Sequence, residues 1–309
     1  MVPHLLLFTL FGAFTACGML KQGQIAPDRG TQAPPPAKFI TTQSHVNLET
    51  DGTMPLGELF LHCEKHIRSW KKILAKPPSP SITAAQASLE DAFADLIYRN
   101  RSMLESQILH GEHRNRGIAS ATLGFSRDPH TMPLILNNVT DPLPSVAALA
   151  MFGLGVLASP ATPIGPIRKV LTEGTPSLAM IENGSFALAR IAENAKADPD
   201  GNLEAVFIML IERPEANIRA QAAACLGLIK AEASGPSLAN LLVRDSEPAV
   251  RVSAAYALGE IGSTSAFGVL VGALNDPSAL AAGTARASLA KIYGKDLGPH
   301  AQNWQVAFP

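Results

Sequence analysis

The sequence predicts an all-α fold, a solenoid of about six helical hairpins preceded by a helical cap. Of its 309 residues 47% are hydrophobic but only 6% are aromatic, a balance that favours helices rich in Ala and Leu. A short phrase also recurs roughly every 31 to 38 residues, a period typical of stacked hairpins, since one hairpin cannot bury its apolar face alone. The small residues that anchor the phrase are Gly124, Gly155, Ala189, Gly227, Gly259 and Ala290.

Residues 1–17 are predicted to be a signal peptide. The apolar run from Leu5 to Phe14 is shorter than the roughly 20 residues that span a bilayer, but it has the length of a signal-peptide core. The motif "FTAC" resembles a bacterial lipobox, and that resemblance implies a lipid on Cys17. We therefore expect a lipid-anchored protein of the bacterial cell envelope. The alternative is a periplasmic or secreted chain in which Cys17 is incidental.

Residues 18–55 are predicted to be a flexible tether, because a segment rich in Gln, Pro, Thr and Gly buries too little apolar surface to offset its ordering entropy. Residues 56–114 are predicted to be a helical cap. Its first helix carries Leu59, Cys63, Ile67 and Trp70 on one stripe, and a second helical run ends near Gly111.

A basic run in the first cap helix has two interpretations. It could meet anionic lipid headgroups, or it could be a solvated helix face with the apolar stripe turned inward, which we favour from sequence alone. The run consists of Lys65, His66, Arg68, Lys71, Lys72 and Lys76.

Residues 115–309 are predicted to be the repeat array. The segment "DSEPAVRVSAAYALGEIGSTSAFGVLVGALNDP" resembles a unit of the short HEAT repeats that also occur in phycobilin lyases. The matching residues are Asp245, Val250, Arg251, Ala254, Ala255, Ala257, Leu258, Gly259 and Ile261. The third unit departs most, since Met180 and Ile181 replace the Val-Arg pair. The resemblance extends over about residues 115–293 and implies a right-handed, HEAT-like solenoid.

The same resemblance implies that the second helix of each hairpin lines a concave face, so its variable positions would meet a bound protein or peptide. Three aromatic residues share one register of that helix, and buried aromatics often dominate interfaces. The alternative, that they pack against adjacent helices, stays open. The candidate partner-binding residues are Phe152, Phe186, Tyr256, Leu149, Asn183, Arg190, Gln221 and Glu260, with Val156 in the same registers.

The sequence predicts no catalytic residue, metal site or cofactor. His62 and His66 have the spacing of two ligands on one helix, but no third ligand follows at motif spacing. Cys225 lies in an apolar run, where a core residue is expected. The net charge of −1 argues against binding of nucleic acid, which draws affinity from Lys and Arg on phosphates.

Together these patterns predict a non-catalytic, protein-binding scaffold of the cell envelope, anchored to a membrane by its lipid. The rival prediction is an enzyme or cofactor-handling module resembling phycobilin lyases, which would need a polar, titratable groove. A third possibility is a purely structural role at the envelope.

Overall fold

The computed structural model describes residues 54–76, 79–195 and 202–308. Over these ranges the chain is all-α, with fifteen α-helices, short 3-10 turns and no strand. None of the described helices is long and apolar enough to cross a membrane. The predicted signal peptide, Cys17 and nearly all of the predicted tether lie outside the described residues.

The predicted all-α solenoid of about six hairpins behind a helical cap is confirmed. The cap helices are α1 (Leu56–Leu74) and α2 (Pro80–Arg99). The hairpins pair α3 (Arg101–His110) with α4 (His113–Leu123), α5 (Met132–Asn137) with α6 (Pro144–Leu157), α7 (Gly165–Thr172) with α8 (Leu178–Ala195), α9 (Leu203–Leu210) with α10 (Ala216–Leu228), α11 (Gly235–Arg244) with α12 (Pro248–Ile261), and α13 (Phe267–Gly272) with α14 (Ala279–Tyr293). A last helix, α15 (Ala301–Ala307), packs against α13.

The second helical run of the sequence is divided at Asn100, which ends α2 and precedes α3. The Asn100 amide nitrogen donates to the Leu96 carbonyl at 2.8 Å, and its oxygen accepts from the Met54 backbone at 3.4 Å. Because α3 packs against α4 and α5, it is the first helix of the first hairpin rather than part of the cap.

The second helices of the hairpins form one continuous row, since each of α4, α6, α8, α10, α12 and α14 contacts the next. The anchor glycines explain how closely these helices approach. A Cβ on Gly124 would stand 2.3 Å from the Gly153 carbonyl oxygen, and one on Gly227 would stand 2.5 Å from the Cα of Ala257. The repeated small residue is therefore required by contact between neighbouring backbones.

The Arg of the repeated phrase bonds to the Asp that precedes the next hairpin's second helix. Arg219 donates to both carboxylate oxygens of Asp245, at 2.8 and 2.9 Å, and Arg116 donates twice to Asp141, at 3.0 and 2.9 Å. Arg251 makes the same two-point contact with Asp276. These bonds connect consecutive hairpins on one side of the row.

The junction between α6 and α8 and the junction between α8 and α10 lack this bond, and at each of them both the Arg and the Asp are replaced. Ala147 stands where α6 would carry the Arg, and Thr175 stands where the following Asp would be. At the next junction Ile181 and Arg213 replace the pair, and Arg213 bonds to Glu215 of its own turn. Losing both members together avoids a buried charge without a partner, which is the costly case.

The main apolar core extends from the cap to α15, since buried residues from Leu59 to Trp304 belong to one cluster. The cap joins it through Trp70, whose ring lies 5.3 Å from that of Phe125 and 5.8 Å from that of Phe152. Helix α1 therefore packs across the ends of the first two hairpins, and this junction positions the candidate site.

Candidate functional site

Phe152, the first aromatic of the predicted register, is buried beneath the cap. It is 3% exposed, and its ring contacts those of Trp70, Phe125 and Phe186. The Lys71 ammonium lies 4.3 Å above the ring, a cation–π geometry, and burial lowers the pKa of Lys71. In this structure Phe152 packs against α1, as the core-packing alternative predicts, and a partner has no access to its ring.

Phe186 and Tyr256 lie in different surroundings. Phe186 is partly exposed and stacks on Phe152, with the ring centres 5.9 Å apart. Tyr256 is 9% exposed and belongs to a separate small cluster with Ala224, Val252 and Ala281. Burial raises the pKa of Tyr256, and the carboxylate of Glu260 raises it further. The structure thus brings together two of the three predicted aromatics.

The remaining predicted residues lie along the second-helix row and are partly exposed. Leu149 lies against α4, where a Cβ on Gly117 would meet its side chain at 2.9 Å. Glu260 pairs with Lys291 at 2.6 Å. The Gln221 amide nitrogen is buried and has no hydrogen-bond partner among the residues that the structure describes. A role for these residues and for Asn183 in partner binding stays a prediction.

The structure has a cleft of about 210 Å³ where the cap meets the first three hairpins. Three residues of the predicted registers line it: Val156 on α6, and Phe186 and Arg190 on α8. The cap and the first hairpin supply the rest, namely Trp70, Leu74, Gln86, Glu90, Gly124, Phe125 and Arg127, and Gly155 of α6 completes the lining.

One wall of the cleft is a polar network around Glu90. Its carboxylate accepts from the Trp70 indole nitrogen at 2.7 Å and from the Gln86 amide at 2.9 Å. The Arg127 guanidinium lies 3.7 Å from the same carboxylate and 3.0 Å from Asp91. Arg127 has the left-handed backbone, with φ of 57°, that turns the chain away from the end of the first hairpin. The wall therefore has fixed donors and acceptors.

The opposite wall combines an aromatic ring and a cation on α8. A Cβ on Gly155 would stand 2.5 Å from the Phe186 ring, so this glycine leaves the space that the ring occupies. Arg190 lies four residues after Phe186 on the same helix and bonds to the buried carboxylate of Glu193. Aromatic walls with charged groups at the edge suit an apolar side chain whose own backbone is polar.

The histidine pair of α1 is engaged in contacts within the protein. His66 Nδ1 lies 2.8 Å from the His62 carbonyl oxygen, and the His66 ring stacks on that of Phe93 at 4.9 Å. His62 lies 3.9 Å from Glu58. In the described part of the chain no three residues among His, Cys, Asp and Glu are grouped as metal ligands.

The two described cysteines are buried and free. Burial raises the pKa of the Cys63 thiol to about 11, and burial also raises that of Cys225. Both therefore remain protonated at neutral pH, where only the thiolate is a good nucleophile.

Comparison with known proteins supports the repeat assignment. Residues 203–290 match the family model for HEAT repeats. No curated protein matches the sequence significantly. Human deoxyhypusine hydroxylase in complex with glycerol is 21% identical, with 78% of this chain and 100% of that chain covered and a TM-score of 0.37. The CpcE–CpcF complex of phycocyanin lyase from Nostoc sp. PCC7120 is 16% identical, with 88% and 98% covered and a TM-score of 0.39.

The prediction that the chain is not an enzyme is corrected by these comparisons. Both solved structures carry the names of enzymes, so a likeness to this fold does not exclude catalysis. At these identities and TM-scores neither relative assigns an activity to this chain. The alternative of a cofactor-handling module stays a prediction.

Proposed function

We propose that this HEAT-like protein binds a segment of another protein, and that the cleft between the cap and the first three hairpins receives an apolar side chain of that segment. The cleft is the observation that carries the proposal. It brings Trp70 and Phe186 together with the charged groups of Glu90, Arg127 and Arg190 in one depression.

The size of the cleft favours a side chain over a whole small molecule. Its volume is about 210 Å³, whereas pockets for drug-sized ligands measure about 300 to 1,000 Å³. An aromatic or long aliphatic side chain fills a space of this size and gains from contact with the two rings. The polar wall around Glu90 supplies partners for backbone groups beside that side chain.

The rest of the row extends the proposed contact. Asn183 lies on the helix that carries Phe186, and Gln221 lies on the next helix of the row. The Gln221 side chain is partly exposed in that helix, although its amide nitrogen itself is buried. A segment anchored at the cleft and running along the row would pass these amides.

Selection of peptides tests the proposal. A library of random twelve-residue peptides on phage is panned against the immobilised full chain, and enriched peptides are titrated by calorimetry. We expect the enriched set to share an aromatic or long aliphatic residue. Val156→Glu places a charge in the apolar wall and should weaken binding at least ten-fold.

The matched control is Val243→Glu, the same change at a position on α11 that is 62% exposed. It should leave the affinity unchanged. Equal affinities for both variants, or no enrichment at all, would contradict the cleft as the binding site.

A location at the cell envelope is a separate part of the proposal and is supported by the sequence of residues 1–17 alone. If Cys17 carries the lipid, Cys17→Ser should abolish incorporation of labelled palmitate and release the protein from membranes. Unchanged labelling of the variant would eliminate Cys17 as the lipid site.

A further inference from the structure

The outward face of α1 carries a row of cations. Leu61, Lys65, Arg68 and Lys72 follow one another at intervals of three and four residues, which places them on one side of the helix, and Lys76 follows two residues after its last turn. All five are exposed, and they lie opposite the buried stripe that packs the helix on the array. We call these five residues the α1 stripe.

The cations of the α1 stripe have no carboxylate partners among the described residues. The acidic side chains of the same helix are engaged elsewhere, since Glu58 faces His62 at 3.9 Å and Glu64 bonds to Arg114 at 2.8 Å. The chain as a whole has 25 Lys and Arg against 26 Asp and Glu. A row of four unpaired cations is therefore a local departure from a balanced charge.

The structural demands of a helix explain only part of this row. Cations in the last turn of a helix interact favourably with its dipole, which accounts for Lys72. Lys65 and Arg68 lie in the middle of α1, where that effect has decayed. Solubility alone would be served equally by mixed charges.

We propose that the α1 stripe contacts the anionic headgroups of a lipid surface. Three cations along one helix face, with Lys76 just beyond the end of the helix, match a planar array of negative charge. Leu61, 65% exposed at the start of the same face, adds an apolar side chain that can enter the headgroup region. This contact is separate from the peptide cleft, which is lined by the other side of α1.

The chain that precedes α1 supports a lipid surface as the occupant. The described structure begins at Met54, two residues before the helix, and the sequence before it contains the apolar run Leu5–Phe14. If that run or a lipid on Cys17 enters a bilayer, α1 is the first described helix beyond it. The α1 stripe would then meet the headgroups of the same surface.

Vesicle sedimentation of the full chain tests the proposal, with sucrose-loaded vesicles of phosphatidylcholine alone or with phosphatidylserine added. Insertion of the apolar N-terminal run contributes to both, so the measured quantity is the excess binding to anionic vesicles. In the triple variant Lys65→Gln, Arg68→Gln, Lys72→Gln, the excess binding to anionic vesicles should fall at least ten-fold. The reason is that each cation near such a surface raises the binding constant about five-fold.

The matched control neutralises two Lys and one Arg on the array, by Lys230→Gln, Arg244→Gln and Lys295→Gln, all at exposed positions. We expect it to bind like the wild type, and both variants to keep the helical circular dichroism of the wild type. The proposal is overturned if the wild type shows no excess binding to anionic vesicles. That result is expected if the α1 stripe binds an acidic protein or nucleic acid instead of lipid. The proposal is also overturned if both variants lose binding equally.

Discussion

At the scale of single residues, the bonds between Arg and Asp explain why the repeated phrase contains an arginine. Arg251 is 9% exposed and donates to the two oxygens of Asp276 at 2.7 and 2.8 Å. The third guanidinium nitrogen of Arg251 donates to the backbone carbonyl of Asp245 at 3.0 Å. The side chain thus joins the turn before its own helix to the turn of the next hairpin, and a planar guanidinium is the group that can do both.

Replacement of Asp276 by Ala should lower the free energy of unfolding by about 2 to 3 kcal/mol, because it leaves the buried Arg251 without its carboxylate. Urea unfolding followed by circular dichroism measures the change. Asp296→Ala is the matched control, since it breaks a similar two-point contact with Arg286 that is exposed to solvent. A loss of stability as large in the control as in Asp276→Ala would contradict the role of burial.

The same pair predicts a dependence on pH. The hydrogen bonds from Arg251 hold the pKa of Asp276 below its usual value of about 3.9. A carboxylate with a lowered pKa stabilises the fold fully above the unfolded pKa and loses that effect as the pH falls through the folded pKa. The stability gap between wild type and Asp276→Ala should therefore be constant from pH 7 to 5 and shrink below about pH 4. Urea midpoints across this range check it, and a gap that widens on acidification would have the wrong sign.

Phe152→Ala should destabilise the protein by about 3 to 5 kcal/mol, the usual cost of truncating a buried aromatic residue. Phe186→Ala should cost less, because its ring is partly exposed in the cleft. Thermal melts of the two variants give the comparison. An unchanged melting temperature for Phe152→Ala would mean that α1 does not cover this ring.

At the scale of helices, the spacing of the second-helix row depends on the side chain at the anchor position. A Cβ on Gly259 would stand 2.4 Å from the Ser288 hydroxyl, and one on Gly155 would meet the Phe186 ring. Between α8 and α10 the anchor is Ala189, and the bond between Arg and Asp is also absent. The junction between the most divergent unit and the next therefore lacks both the anchor glycine and the bond between Arg and Asp.

Gly227→Ala should destabilise the array by about 1 to 3 kcal/mol, because the new methyl group would overlap the backbone of α12 at Ala257. The control is Gly272→Ala at the end of α13, where a Cβ meets nothing within 4 Å. That change should be neutral or stabilise by up to about 1 kcal/mol. Chemical unfolding of both variants compares them, and a neutral Gly227→Ala would rule out close contact at the anchor.

The helices that the sequence predicts well are those with a repeated register. The anchors place α4, α6, α8, α10, α12 and α14, because each register fixes which residues are buried. The break at Asn100 has no such signal. The Asn100 side chain there accepts a hydrogen bond from Met54, a partner that the local pattern does not contain, and the sequence predicts one continuous helical run.

At the scale of the whole molecule, the candidate site forms where the cap meets the array. Repeat registers predict its α6 and α8 wall, including Phe186 and Arg190, because those positions are defined by comparison between units. The registers do not predict that Glu90 and Arg127 line the cleft, because these side chains reach it through packing of α2 against the first hairpin. Trp70 is predicted as a core residue, and only the structure shows that its ring also forms a wall.

The central claim is that this cleft binds a protein segment, and site-specific photocrosslinking in living cells tests it most directly. A benzoylphenylalanine replaces Phe186, and in a parallel strain it replaces Val243 on α11. The account predicts a discrete crosslinked product from position 186 that is absent from position 243, and its loss when Val156→Glu is added. Equal products at both positions, or a product at 186 that persists with Val156→Glu, would contradict the claim.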